Sequence, residues 1–121
     1  MTKVQTFRDI IAWQQAHELA LVVYSLSKNF PREELFGLTS QMRRCAVSVP
    51  SNIAEDFKRR TTRDAIHFYN IAEGSLGELK YQLLLSRDLH YVTDAQYSPV
   101  EVLADCVGKV LHGWIKAQRS S

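Results

Sequence analysis

The segment from Gln41 to Arg60, QMRRCAVSVPSNIAEDFKRR, decides the fold because it combines helical periodicity with an internal proline. Its apolar residues recur at steps of three and four, as on one face of an amphipathic helix: Met42, Cys45, Val49 and Ile53. Pro50 removes one backbone donor and crowds the carbonyl of Ala46, at a cost of about 3 kcal/mol or more. We therefore expect a helix that is kinked at Pro50 rather than ended by it.

Three further stretches show the same spacing of apolar residues, which predicts three more amphipathic helices. The first helix is expected from about residue 7 to 29, after a capping box formed by Thr6 and Asp9. The helix that contains Pro50 is the second, and it is expected to begin after Pro31. The third is expected to begin after a cap at Thr61.

The fourth helix has two candidate starts. Ser98, Pro99 and Glu101 provide a cap, a first-turn proline and a capping-box acid. An earlier start at Asp94, after Thr93, is the alternative. The predicted core positions, besides those of the opening segment, are Ala12, Ala16, Leu19, Val23, Leu26, Phe30, Leu35, Leu38, Ala65, Phe68, Ala72, Leu76, Leu79, Leu83, Val100, Leu103, Val107, Val110 and Trp114.

Together these patterns predict an all-α protein. No stretch alternates apolar and polar residues with the period of two that a strand requires. Four helices joined by short connections favour an antiparallel, up-down-up-down four-helix bundle. A chain of 121 residues is expected to form this bundle as a single domain over residues 1–121.

The overall composition excludes several classes of protein. The formal net charge is only +2, so an affinity for nucleic acid would have to come from local clusters of basic residues. Cys45 and Cys106 lack the spacing of a zinc site or a disulfide framework, and we expect both to be small buried residues in a reducing compartment. Without a signal sequence or a membrane span, the chain is expected to be cytoplasmic and to have no membrane partner.

The sequence contains no motif of an enzyme. Asp64 and His67 form a single Asp-x-x-His pattern, whereas di-iron bundles need paired carboxylates and repeated Glu-x-x-His motifs. We therefore expect no catalytic residues, no metal and no cofactor. Gly74 and Gly77 lie inside the third helix, where glycine is unfavourable, and the expected reason is close approach of another helix.

Three uncharged zones are more apolar than one bundle seam requires. They are Leu19–Ser27 in the first helix, the residues around Pro50 in the second and Ala65–Ala72 in the third. In the second zone, Val47 and Ala54 lie off the apolar face that packs in the bundle. A helix that is apolar around most of its circumference is normally covered on more than one side. We therefore expect the chain to associate with itself, and isolated surface hydrophobic residues are the alternative explanation.

Six basic residues of the second and third helices are candidate nucleic-acid-binding residues. Arginine offers forked donors to phosphate oxygens, and lysine adds positive charge. The alternative is a solvated turn whose cations stabilise the C-terminal end of the second helix. The six candidates are Arg43, Arg44, Lys58, Arg59, Arg60 and Arg63.

A polar stripe runs beside the apolar seam of the second helix, with Arg44 and Arg59 on the same track. Its side chains could satisfy the carbonyl freed by Pro50, fix the register of neighbouring helices or line the interior of an oligomer. A structural role is favoured, and a ligand-binding role is the alternative. The polar stripe consists of Gln41, Ser48, Ser51, Asn52 and Glu55.

An ordered set of short motifs covers most of the chain. The motifs are Ala12-Trp13-Gln14, Phe30-Pro31, Phe36-Gly37-Leu38, the run from Gln41 to Glu55, Ala72 to Leu76, and Glu78-Leu79. In this order they resemble the family of small bacterial four-helix-bundle proteins known as ribosomal RNA intervening-sequence proteins. Asp56 departs from the family pattern, in which a glycine follows the Ile-Ala-Glu triplet, so the turn after the second helix is expected to begin later or to bend differently.

The resemblance implies an antiparallel four-helix bundle similar to family members that form ring-shaped homopentamers. Some members are encoded inside intervening sequences of ribosomal RNA genes, and a more distant relative binds nucleic acid and a reverse transcriptase. These relationships do not assign a biochemical activity to the chain.

The leading hypothesis is a non-enzymatic homo-oligomer that binds RNA or DNA with low sequence specificity. The rival is a scaffold that holds a protein partner and does not bind nucleic acid. A metal-dependent bundle enzyme is the third and least favoured class.

Overall fold

The computed structural model describes residues 4–59 and 61–120, with backbone alone for residues 119 and 120. These residues form four α-helices and no strand, so the predicted all-α class is confirmed. The helices are α1 (Ile11–Ser27), α2 (Leu38–Arg59), α3 (Thr62–Asp88) and α4 (Asp94–Ser120). Two 3₁₀ turns, Phe7–Asp9 and Arg32–Glu34, precede α1 and α2.

The capping residues at Thr6 and Thr61 are confirmed. The Thr6 hydroxyl accepts from the backbone N–H of Arg8, and the Asp9 carboxylate accepts from the N–H of Thr6, although this box caps the 3₁₀ turn rather than α1. The Thr61 hydroxyl accepts from the N–H of Asp64 at 3.1 Å and so caps α3. The first helix therefore begins later than the sequence pattern indicates, with a short turn in front of it.

The start of α4 corrects the favoured prediction. The helix begins at Asp94, the alternative, and Pro99 lies inside it. Thr93 and Gln96 form the cap: the Gln96 side chain accepts from the N–H of Thr93, and the Thr93 hydroxyl accepts from the N–H of Gln96. This reciprocal pair satisfies two of the free donors at the helix start, so Ser98 is not needed as a cap.

The core lies between the four helices, and most of the predicted core positions are buried in it. Leu35 is a wrong prediction because it lies in the turn before α2 and is exposed. In α3, Tyr69 is buried and Phe68 only half-buried. In α4 the buried stripe is shifted by one residue at several positions, and it consists of Val100, Ala104, Val107, Leu111 and Ile115.

The side-chain contacts between helices are compatible with the predicted antiparallel arrangement. From α2 to α3, Met42 contacts Ser86 and Ser48 contacts Ser75, so rising numbers meet falling numbers. Pro50 is buried within α2, which continues to Arg59. Asp56 lies inside α2, and the helix continues for three residues beyond it.

Candidate nucleic-acid interface and apolar grooves

Arg43 is held against α1 by contacts with Tyr24 and Ser27. Its Nε donates to the Ser27 hydroxyl at 2.9 Å, and its guanidinium carbon lies 4.8 Å from the centre of the Tyr24 ring. Ser27 is buried, so the hydrogen bond joins two helices at a partly desolvated position. These contacts engage Nε and one face of the Arg43 guanidinium within the fold, so Arg43 has fewer donors left for a phosphate than an unpaired arginine has.

The other candidates fall into two places. Arg44 is exposed and lies 14 residues before Lys58, or about 21 Å along a straight helix at 1.5 Å per residue. Lys58 and Arg63 are exposed on either side of the connection between α2 and α3. Arg60, also a candidate, lies outside the described residues. The structure therefore brings only part of the predicted set to one end of the molecule.

Lys58 and Arg63 form no hydrogen bond or ion pair with the part of the chain that the structure describes. Arg59 instead forms an ion pair with Glu55 one turn earlier, with Nη2 and Oε1 3.0 Å apart. An exposed pair of this kind stabilises a helix by about 0.3–0.5 kcal/mol and is easily exchanged for another anion. We call Lys58, Arg59 and Arg63 the basic end.

Asp56 does not neutralise this basic end at the surface. Its side chain turns into the bundle, where the residue is only 1% exposed and accepts a hydrogen bond from Gln118. Burial raises the pKa of the Asp56 carboxyl above its ordinary value of 3.8. The partly exposed acids near the connection are thus reduced to Glu55, which is paired with Arg59, and Asp64.

The polar stripe separates into groups with different surroundings. Asn52 donates to the carbonyl of Ser48 at 2.7 Å and to its hydroxyl at 3.1 Å, and that hydroxyl also accepts from Ser75 at 2.8 Å. Ser51 and Gln41 are both exposed, and Ser51 lines a groove between α1 and α2. None of the described side chains donates to the carbonyl of Ala46, so the stripe connects α2 to α3 but does not compensate the carbonyl freed by Pro50.

An apolar groove lies between α1 and α2. It encloses about 490 Å³ and combines the uncharged zones of both helices. Three of its apolar residues are strongly exposed, with Leu21 at 58% and Tyr24 and Val47 at 42% each. We call it the α1–α2 groove; it is lined by Phe7, Trp13, His17, Ala20, Leu21, Tyr24, Val47, Pro50, Ser51 and Ala54.

A second groove lies where Asp56 faces the end of α4. It encloses about 680 Å³ between the N-terminal segment, the end of α2 and α4. The sequence reading missed Asp56 as a site residue. The signal was present, since Asp56 follows Ile53 by three residues and so continues the seam of Met42, Cys45 and Val49 into the interior.

The cysteines and glycines differ from expectation. Cys45 is buried and donates to Glu78 at 3.5 Å, and burial raises the pKa of its thiol. Cys106 is exposed, contrary to the prediction, because α4 is turned relative to its predicted stripe. A Cβ placed on Gly74 or Gly77 would have no neighbour within 4 Å, so none of the other described helices approaches them closely, contrary to the prediction.

No group of three or more histidine, cysteine or acidic side chains within the described ranges is arranged to hold a metal ion. Within the same ranges, none of the helices combines the length and the apolar character that a bilayer-spanning helix needs.

Comparisons with known proteins agree with this architecture. The family model described as 23S rRNA-intervening sequence protein matches residues 8–113. Among solved structures, the chain is similar to a Bacteroides thetaiotaomicron VPI-5482 protein of unknown function from the S23 ribosomal protein family, at 27% identity and a TM-score of 0.81. The similarity covers 90% of this chain and 98% of the other. A comparison with curated proteins found no match.

Neither description names an enzyme. The family match extends over all four helices, from the turn before α1 into the second half of α4. The chain therefore belongs to the 23S rRNA-intervening sequence protein family.

Proposed function

We propose that the protein is a homo-oligomeric helical bundle that binds RNA or DNA through phosphate contacts, with little sequence specificity. The observation that carries the proposal is the basic end, where Lys58 and Arg63 are exposed and form no ion pair with the described residues. Cations that are not already neutralised can replace the counterions condensed on a nucleic acid, and the release of those counterions favours binding. Arg59 can add forked donors when its weak pair with Glu55 opens.

Self-association is the second part of the proposal, and a second copy of the chain is the proposed occupant of the α1–α2 groove. Apolar surface is exposed on two adjacent helices at Leu21, Tyr24 and Val47, and the packing of the four helices within one copy does not bury it. Burial of such surface is favourable by about 25 cal/mol per Å². We propose a closed ring, with a homopentamer as the form that the family resemblance implies.

A ring would strengthen a weak phosphate site by repetition. The basic end carries few cations, so one copy alone is expected to bind weakly. After one copy has bound, the others face the same nucleic acid at high effective concentration, which raises the overall affinity without any new contact. Each half of the proposal therefore supports the other, and each can be tested alone.

Binding to a structured RNA and to duplex DNA at low salt tests the nucleic-acid half. The double variant Lys58→Ala/Arg63→Ala removes two exposed cations of the basic end. Its matched control, Lys28→Ala/Lys109→Ala, removes two exposed cations elsewhere and lowers the net charge equally. We expect the first variant to bind at least about tenfold more weakly than the control. Equal losses in both variants, or no binding by the wild type, would contradict the proposal.

A protein-binding scaffold is the second candidate, and the α1–α2 groove is the observation that favours it. Trp13 and His17 stack at 4.9 Å beside the groove, and its apolar walls suit the apolar face of a partner helix. Copurification from lysate with nuclease treatment distinguishes the candidates. A stoichiometric partner that survives nuclease and is lost in Leu21→Glu would favour the scaffold.

A further inference from the structure

Phe36 is the most exposed large apolar residue that the structure describes, at 93%. It lies in the turn that leads into α2, next to Leu35, which is 49% exposed. We call residues 32–37 the Phe36 turn. Aromatic side chains are enriched in protein interfaces, because they bury a large apolar area in one contact. Phe36 is therefore a candidate anchor for a contact with another molecule.

The Phe36 turn is held in place by Glu34. Oε1 of Glu34 accepts from the backbone N–H of Leu38 at 3.3 Å, and Oε2 accepts from the Tyr91 hydroxyl at 2.8 Å. A Cβ on Gly37 would lie only 2.9 Å from Oε1, so glycine lets the carboxylate reach the start of α2. A side chain that is presented on a fixed turn loses little conformational entropy on binding, which favours association.

The proposed ring needs two different surfaces on each copy, and the present inference rests on that part of the proposed function. A closed ring of more than two copies is built from heterologous contacts, in which one surface meets a different surface of the next copy. The α1–α2 groove is one such surface. Phe36 does not cover the groove of its own copy, since it is 93% exposed and α2 begins about 14 Å before Val47.

One end of the α1–α2 groove suits an aromatic side chain. Its walls there are Leu21 and Tyr24 from α1 and Val47 from α2, and we call it the Tyr24 end. A phenyl ring can pack edge-to-face on Tyr24 and against the two branched aliphatic side chains. The whole groove encloses about 490 Å³, which is enough for Phe36 together with Leu35.

The Phe36 turn carries one charge of each sign. Hydrogen bonds between residues three apart continue through the turn, and this geometry places side chains three residues apart on the same side. Glu33 therefore stands beside Phe36, and Arg32 stands beside Leu35. Both charged residues are exposed, and neither forms a hydrogen bond or an ion pair with the described part of the chain.

The rims of the groove carry the complementary charges. On α2 the rim carries Arg44, and on α1 it carries Glu18, each one helical turn before an exposed apolar residue of the groove. Both are exposed and form no hydrogen bond or ion pair with any described residue. A bound turn can therefore pair Glu33 with Arg44 and Arg32 with Glu18, which fixes the orientation of the contact.

We propose that Phe36 of one copy inserts into the Tyr24 end of the α1–α2 groove of the next copy. The two charge pairs flank the inserted ring. Because the contact joins two different surfaces, it repeats head-to-tail until the ring closes. The contact uses the start of α2 and leaves the basic end, about 30 Å further along that helix, for phosphates.

Mixing two variants that cannot associate with themselves tests the proposal. Phe36→Glu lacks the anchor but keeps the groove, whereas Leu21→Glu keeps the anchor but places a carboxylate in the groove. Both replaced side chains are largely exposed, so neither is needed for the fold. Each variant alone should associate about thirtyfold or more weakly than the wild type and be a monomer by native mass measurement. An equal mixture should form a one-to-one heterodimer, because one intact anchor meets one intact groove.

Tyr81→Glu is the matched control, because Tyr81 is 62% exposed on α3 and belongs to neither surface. This control should form the same ring as the wild type. A charge exchange tests the orientation of the contact. Arg44→Glu should weaken self-association about tenfold or more by placing two acids together, and Glu33→Arg/Arg44→Glu should restore it.

A ring that persists in Phe36→Glu would overturn the inference and leave self-association in place. Failure of the mixed variants to form a heterodimer, or of the double charge exchange to restore association, would also overturn it. A monomeric wild type would overturn both the inference and the self-association half of the proposed function.

Discussion

The hydroxyl of Ser75 on α3 donates a hydrogen bond to the hydroxyl of Ser48 on α2 across 2.8 Å. Asn52, one turn further along α2, donates to the same hydroxyl and to the carbonyl of Ser48. Together the three side chains link two helices at one level of the bundle. A slip of either helix by one turn would leave these half-buried groups unsatisfied, so the link specifies the register of α2 against α3.

Ser75→Ala should therefore lower the free energy of unfolding. The change removes one hydrogen bond at a half-buried position, for an expected loss of about 0.5–1.5 kcal/mol by urea denaturation. Ser98→Ala is the control, because Ser98 is an exposed helix residue. If the two variants lost the same stability, the link would have no measurable role.

Arg43→Lys should separate stability from nucleic-acid binding. The charge is kept, but the forked contacts with Ser27 and Tyr24 are lost, so the free energy of unfolding should fall by about 1 kcal/mol. Affinity for RNA at low salt should match that of the wild type. A variant with normal stability and weakened RNA binding would return Arg43 to the phosphate-binding set.

Asp56→Asn should change the pH dependence of stability. Because burial raises the pKa of Asp56 above 3.8, the folded protein binds more protons than the unfolded chain just above that pH. The contribution of Asp56 to stability is therefore greatest in acid and declines as the pH rises through the raised pKa. Urea titrations from pH 4 to 7 should show the variant gaining stability relative to the wild type. A difference that is constant, or that shrinks with rising pH, would contradict this.

Leu21→Glu should dissociate the proposed oligomer. A carboxylate in a dry contact between copies would be desolvated without a partner, which costs several kcal/mol. Native mass measurement at micromolar concentration should give a ring for the wild type and monomers for the variant. Val102→Glu is the matched control, because Val102 is similarly exposed, at 61%, but lies on α4. A monomeric wild type would remove the self-association proposal altogether.

The sequence pattern was sufficient for the all-α fold and for the seams of α1 and α2, apart from Leu35, which lies in the turn before α2. It failed at the start of α4, because Ser98, Pro99 and Glu101 have the local chemistry of a helix start. The cap at Thr93 and Gln96 satisfies the helix donors earlier, and Pro99 is then accommodated within the helix. The local spacing of residues does not indicate which of two possible N-terminal caps the folded chain adopts.

The candidate site was predicted only in part. The positions of Lys58 and Arg63 beside the α2–α3 connection follow from the helix boundaries. The direction in which Arg43 points depends on where α1 packs, and the burial of Asp56 depends on the end of α4, which supplies Gln118. Contacts between residues so distant in the chain are set by tertiary packing and have no signal in local periodicity.

The salt dependence of RNA binding tests the central claim most directly. For the oligomeric protein and a structured RNA, the logarithm of the association constant should fall linearly with the logarithm of the salt concentration. The slope should be reduced in Lys58→Ala/Arg63→Ala, by at least about 1, because phosphate contacts are lost. A wild-type slope near zero, or one unchanged by removal of Lys58 and Arg63, would contradict the account.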